Sequence, residues 1–255
     1  MREGPFEPAK MDPMAHLPWL KDLPPDNLQR YGEKGASLGM LARASFEVPF
    51  GFVIPVEVAE QLAGPSDTWP SDVARALLMQ FRALTPNYEP VAVRSSPLTG
   101  ESELHAAKHG TRLGVVGSDA FTEALLALLA WPGRQAIVVQ HMIDVDCSGI
   151  ATAGDPETGN PAHIVLRAVN GSGEDLEHIA ALAQRYAVHR QTLEVIARPN
   201  APALLNDAKV RWATRAAIRA SDLFLAPQEL EFAFDYEGKL WLFQARTISL
   251  AVPAT

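Results

Sequence analysis

Residues 229–246 read ELEFAFDYEGKLWLFQAR. The first half alternates: Leu230, Phe232 and Phe234 fall on one side, Glu229, Glu231 and Asp235 on the other. That is the period of a half-buried strand. Tyr236, Glu237 and Gly238 supply a turn, and a second strand carries Gln244 and Arg246. A two-residue loop at Glu237 and Gly238 predicts one register. It sets Phe234 opposite Trp241, Phe232 opposite Phe243, Glu231 opposite Gln244 and Glu229 opposite Arg246. Aromatic pairs then line one face and polar pairs the other, and a slip of one residue would mix them. The polar face has two readings. It is a solvated surface with a cross-strand ion pair, or it is a metal–phosphate site. Carboxylate and amide oxygens suit magnesium, and the planar guanidinium suits phosphate oxygens.

Three other stretches carry chemistry. GEKGASLGMLARA, from Gly32, reads as a glycine loop entering a helix, with Leu38, Leu41 and Ala42 at helical spacing. Lys34 there is a surface lysine in a turn, or it meets an anion at a helix start, where backbone N–H groups and the helix dipole favour negative charge. The spacing fits neither a Walker loop nor a dinucleotide fingerprint. AVRSS (92–96) puts Arg94 inside an apolar strand, in a structural ion pair or on a ligand, because arginine is rarely buried alone. VVQHM (138–142) puts Gln140 at the end of a buried strand, as a plain strand-end amide or as a reader of a base or ribose edge.

The remaining elements place these stretches. Residues 1–30 read as a loosely ordered lead-in, rich in proline and charge. Helices are expected over 71–84, with Ser71 as cap, and over 119–130, 174–197 and 206–225. Strands are expected over 91–96 and 136–143, a loop over 97–117, and two strands around the turn-rich GDPETGNP (154–161). The mixed order of elements predicts an α+β class.

The 255 residues are 47% hydrophobic and 20% charged, with a formal net charge of -8. That is enough for a sizeable core. The acidic balance opposes a nucleic-acid binder. A single cysteine, Cys147, excludes an internal disulfide framework and reads as a small buried residue. No apolar run approaches the roughly 20 residues of a membrane span, and the first residues hold no apolar core of a signal peptide. A cytoplasmic protein is expected.

Taken in order, GEKGASLGML with VPFGFVIP, AVRSS, IVVQHMIDVDCSGIATAGDPETG and ELEFAFDYEGKLWLFQAR resemble the nucleotide-binding domain of the phosphoenolpyruvate synthase, pyruvate phosphate dikinase and rifampin phosphotransferase family. The resemblance runs from Gly32 to Ile248. It implies an ATP-grasp fold, with lobes over 31–134 and 135–255 and the nucleotide cleft between them. It implies ATP and magnesium as ligands. Lys34 and Arg94 match the family's phosphate-holding lysine and arginine, and Gln140 matches the glutamine near the nucleoside. Glu231 and Gln244 match the metal-side acid and amide, and Arg246 the closing arginine that meets phosphate. Thr111 matches a threonine in the loop over the phosphates.

The chain departs from the pattern at Glu33 and Ala107, where the family has glycine, and at Thr247, where it has proline. Ala107 lacks glycine's backbone freedom. The family's swivelling domain, whose histidine is phosphorylated, has no counterpart motif in this sequence. Of seven histidines, only His105 and His109 fall in the expected phosphate-covering loop; the others read as structural or surface residues. The leading expectation is an enzyme component that phosphorylates a histidine on a separate swivel-domain protein, splitting ATP to AMP and phosphate. Alternatives are a stand-alone kinase or ligase acting on a small molecule, and a non-catalytic ATP-binding module.

Overall fold

The structure, a computed structural model, describes residues 17–25, 27–98, 110–131, 133–172, 183–200 and 202–250. His105, Ala107 and His109 lie outside the described residues. The chain divides into two compact units. The first takes Asn27–Gly35 and Phe50–His141 with the short segment up to Leu23; the second takes Ala36–Pro49 and Met142–Thr255. This partition differs from 31–134 and 135–255 at two places: residues 36–49 join the second unit and 135–141 the first.

The first unit is built on a four-stranded antiparallel sheet of β1 (Gly51–Ile54), β4 (Gln135–His141), β2 (Val91–Pro97) and β3 (Thr111–Val115), in that order. Alternate residues Val91, Val93, Ile137 and Val139 share a core with α3 (Ser71–Leu84) and α4 (Ser118–Leu129). Phe81 stacks on Phe121 there at 4.3 Å, and the short α2 (Val56–Gln61) adds Val58 and Ala59.

Three expectations fail in this unit. Part of the lead-in is packed: Leu17, Leu20 and Leu23 are buried and Trp19 bridges to Phe52, because LPWLKDL spaces its apolar residues to cover the core. Residues 111–115 form an edge strand rather than loop, pairing with β2. Ser71 is the first helical residue and does not cap; Pro70 precedes the helix without a side-chain cap, its fixed φ suiting the entry.

The second unit carries a six-stranded antiparallel sheet, in the order β10 (Leu240–Thr247), β9 (Gln228–Asp235), β5 (Val145–Ala153), β6 (His163–Asn170), β7 (Gln184–His189) and β8 (Val195–Ala197). One face buries Leu230, Phe232, Phe234, Ala151, Leu166 and Tyr186 against α5 (Asp207–Phe224). The helix starts at Asn206, whose side chain accepts from the Lys209 amide at 2.9 Å, an ordinary cap. The helix expected over 174–197 is overturned where it is described: 184–189 and 195–197 are strands. Tyr186 and Val188 alternate inward opposite Leu166 and Ile164, a period of two that helical spacing obscures.

The terminal hairpin departs from its expected register near the turn. Its loop holds three residues, closed by hydrogen bonds between Asp235 and Lys239, with Gly238 at φ 83, as a left-handed turn residue requires. Phe234 therefore faces Leu240, and Phe232 faces Leu242. A bulge at Phe243 then restores Glu231 opposite Gln244 and Glu229 opposite Arg246. Trp241 pairs with Ala233 and turns to the polar face, where its indole donates to Asp235 at 2.8 Å. None of the described helices is long and apolar enough to cross a membrane.

The register makes a direct prediction. Leu242, 1% exposed, is a core residue, so Leu242→Ala should cost about 2–5 kcal/mol in urea unfolding. Phe243→Ala, at the bulge, should cost no more than about half of that, since less of the ring is enclosed. Equal losses would restore the unbulged pairing.

Candidate functional site

Helix α1 (Leu28–Arg43) is broken at Gly32, which adopts φ 65 and ψ 175. The regular helix resumes after it and carries Lys34 in its first turn. An ordinary helix start is capped by its own preceding side chain, which accepts from the third amide. Gly32 has none. The Gly35 amide instead donates to the hydroxyl of Ser96 at 2.9 Å, and that hydroxyl donates to the Tyr31 carbonyl at 2.8 Å. A Cβ at Gly32 would stand 1.9 Å from the Ser96 carbonyl oxygen. The GEKG stretch is thus pressed onto strand β2, and only glycine allows the approach.

Strand periodicity decides what shares that face. Ala92, Arg94 and Ser96 point together, away from Val91 and Val93. Thr111 is directly opposite Arg94 on β3, and Gln140 is directly opposite Ala92 on β4. Facing residues in an antiparallel pair share a side, with Cβ atoms about 4.5–5.5 Å apart. Four separate stretches therefore present Arg94, Thr111, Gln140 and the start of the Lys34 helix on one face. Thr111 belongs to a strand rather than to a covering loop, a correction set by its pairing with Arg94. Gln140 is 2% exposed, so its amide is enclosed.

In the second unit, Glu231 and Gln244 face each other across the hairpin, on the side opposite the core. Their oxygens form a hard donor pair. Magnesium is usually held by one or two carboxylates together with waters and phosphate oxygens, so this donor set fits it. Beside them Arg246 donates to Glu229 at 2.5 Å, and buried Gln228 donates to the Thr247 hydroxyl at 2.9 Å. The guanidinium is aimed by its neighbours. Among the described residues, no group of three or more histidine, cysteine, aspartate or glutamate side chains is placed to hold a metal.

Two arginines escaped the sequence reading. The row through Gln244 and Glu231 continues to Ile150, Arg167 and Arg185 on β5, β6 and β7. Like charges directly opposite oppose pairing. Two carboxylates from the turn after β5 offset them: Glu157 meets Arg167 at 2.6 Å, and Asp155 meets Arg185 at 3.0 Å. Burial pushes the Asp155 carboxyl up. Hydrogen bonds from Glu157 and Thr158 and the Arg185 charge outweigh that and hold it below its ordinary value. The signal was present in HIVLRAVN, whose alternation puts Arg167 opposite the core residues.

The described histidines and the cysteine make contacts within the fold. His141 bonds the Leu84 carbonyl at 2.7 Å, His163 meets Asn160, and His189 accepts from the Thr192 amide. Cys147 is buried, which pushes its thiol up, although Lys209 lies 3.7 Å away.

No family model matches the chain. It is 26% identical to the prodigiosin synthesizing transferase PigC of Serratia marcescens over 86% of its length. It is 23% identical to the phosphoenolpyruvate synthase of Aeropyrum pernix over 89% of its length. It spans 32% and 42% of those relatives. Among solved structures, it is similar to the ADP complex of N5-carboxyaminoimidazole ribonucleotide synthetase, with a TM-score of 0.52, 9% identity, and coverage of 86% of this chain and 45% of the other. The fold is α+β ATP-grasp.

Two predictions follow from this geometry. Gly32→Ala forces a Cβ against a backbone oxygen at a left-handed φ, so unfolding in urea should show a loss of about 2–4 kcal/mol. Asp155, whose folded pKa is depressed, contributes stability above its unfolded value of about 3.9, and loses it as pH falls through the lower folded value. Urea midpoints of the wild type should therefore fall more steeply below about pH 4 than those of Asp155→Asn. Parallel profiles would refute the assignment.

Proposed function

We propose that the chain binds Mg-ATP and acts as the ATP-using part of a phosphotransferase. The observation that carries this is the convergence of Lys34's helix start, Arg94, Thr111 and Gln140 on one face of one sheet. Two cations, a hydroxyl and a buried amide form a set suited to a phosphate chain ending in a nucleoside. The ATP-grasp fold supports the reading, as do relatives named as a transferase and a phosphoenolpyruvate synthase.

In this reading Lys34 and Arg94 bind the phosphates, and Thr111 donates a hydrogen bond to them. Gln140 meets the nucleoside edge. Glu231 and Gln244 hold magnesium, which neutralises phosphate charge when bound. Arg246, held by Glu229, offers its fork to a phosphate oxygen. Phosphoryl transfer depends mostly on positioning and on charge stabilisation, so these residues need only bind and orient. The acceptor is a histidine on a separate swivel-domain protein. Its imidazole nitrogen attacks the β-phosphorus and the bond to AMP breaks, leaving a pyrophosphoryl group on the histidine; water then cleaves the remaining anhydride bond, releasing phosphate and leaving phosphohistidine. The nucleophile comes from the partner, so no general base of this chain is required.

The test is incubation with Mg-ATP, with and without histidine swivel-domain proteins, while following AMP. AMP formed only with the partner supports the proposal. ADP or AMP formed with a small acceptor alone replaces it with a stand-alone kinase or ligase, and binding without turnover replaces it with a regulatory module. Glu231→Gln should lower turnover by about 10²–10³-fold while shifting stability by less than about 0.5 kcal/mol. Unchanged turnover would remove Glu231 from the metal assignment.

A further inference from the structure

We propose that Ser96 is a positioning residue for the nucleotide site, acting through Lys34; the proposal rests on the ATP reading above. Three observations carry it. First, Ser96 is fully buried and its hydroxyl serves two partners, accepting from the Gly35 amide and donating to the Tyr31 carbonyl. These are the two sides of the helix break at Gly32. The hydroxyl is therefore a helix cap delivered from a strand 61 residues away in sequence. Second, Ser96 lies two residues after Arg94 on β2, so both side chains leave the same face of the same strand. Third, the Gly32 backbone abuts the Ser96 carbonyl with no space for a Cβ.

Together these make a short rigid link. Arg94 fixes one cation on β2. Ser96, on the same face, fixes the first turn of the helix that carries the other. The spacing of the backbone positions from which the two cationic side chains extend is thus set by a strand and by a helix start capped from that strand. Ligand binding then spends less free energy on ordering the site. Further out, the segment before the break is also held, since Arg30 meets Glu57 at 2.5 Å and its guanidinium lies over the Tyr31 ring. Loss of the Ser96 hydroxyl leaves every ligand-touching group in place but unties the Lys34 turn from the Arg94 strand.

A double-variant comparison tests this, with Mg-ATP affinity measured by calorimetry. Ser96→Ala should weaken binding by about 5- to 10-fold, the scale of a lost cap. Ser96→Thr, which keeps the hydroxyl, should restore binding to within about 3-fold of wild type. In a Lys34→Ala background, Ser96→Ala should add no further loss, because residues acting through one contact are not additive. Should Ser96→Ala not fold, Ser96→Cys, with similar volume and a weak acceptor, takes its place in the same comparison. Wild-type affinity in Ser96→Ala, or a full additional loss in the Lys34→Ala background, overturns the proposal while leaving the ATP reading standing. Failure of the wild type to bind Mg-ATP overturns both.

Discussion

The contact on which the first unit depends is the approach of a glycine turn to the backbone of β2. Gly32 stands so close to the Ser96 carbonyl that no side chain fits. The turn then has no cap of its own, and the strand supplies one. A buried amide without a partner costs about 1–3 kcal/mol, so this hydrogen bond is close to obligatory once the turn is pressed against the sheet. That contact brings the helix start onto the face where strand pairing already places Arg94, two residues earlier on the same strand, Thr111 facing Arg94, and Gln140 one strand over.

The second unit solves a different problem with the same material. Its sheet packs one side against α5 and carries its charged residues on the other. Charges are then ranged along strand rows rather than gathered by a loop. Glu231 faces Gln244, Glu229 faces Arg246, and two arginines continue the first of these rows. Each arginine of these rows already meets a carboxylate. The exposed pairs among these contribute little stability and chiefly hold side-chain directions, whereas the carboxylate that meets Arg185 is the buried Asp155.

Much of this was legible in the sequence, and the gaps have physical causes. The Lys34 turn, the Arg94 and Gln140 strands and the terminal hairpin all carry strong local patterns, and local patterns survive folding. The pairing of Thr111 with Arg94 joins two stretches across an unpatterned segment, which no window of sequence reveals. Residues 184–189 misled because QRYAVHR has too few apolar positions to separate period two from helical spacing. Ser96 carried no signal at all, since a serine after an arginine strand does not announce that it caps a helix far away in the chain. The hairpin is instructive in another way. The expected loop was one residue too short and the expected strand lacked a bulge, and the two errors cancelled at Glu231 and Gln244.

That bulge separates two properties usually specified together. Phe243 is an extra residue between Leu242, which faces the core, and Gln244, which does not. Excising it would leave the alternation of β10 intact, with each residue still opposite the same neighbour on β9. What would change is the local bend and twist that a bulge imparts. Partnership in the hairpin is thus encoded by alternation, and aim by a single inserted residue, so the direction of Gln244 and Arg246 is adjustable by insertion or deletion at one position without rewriting the sheet.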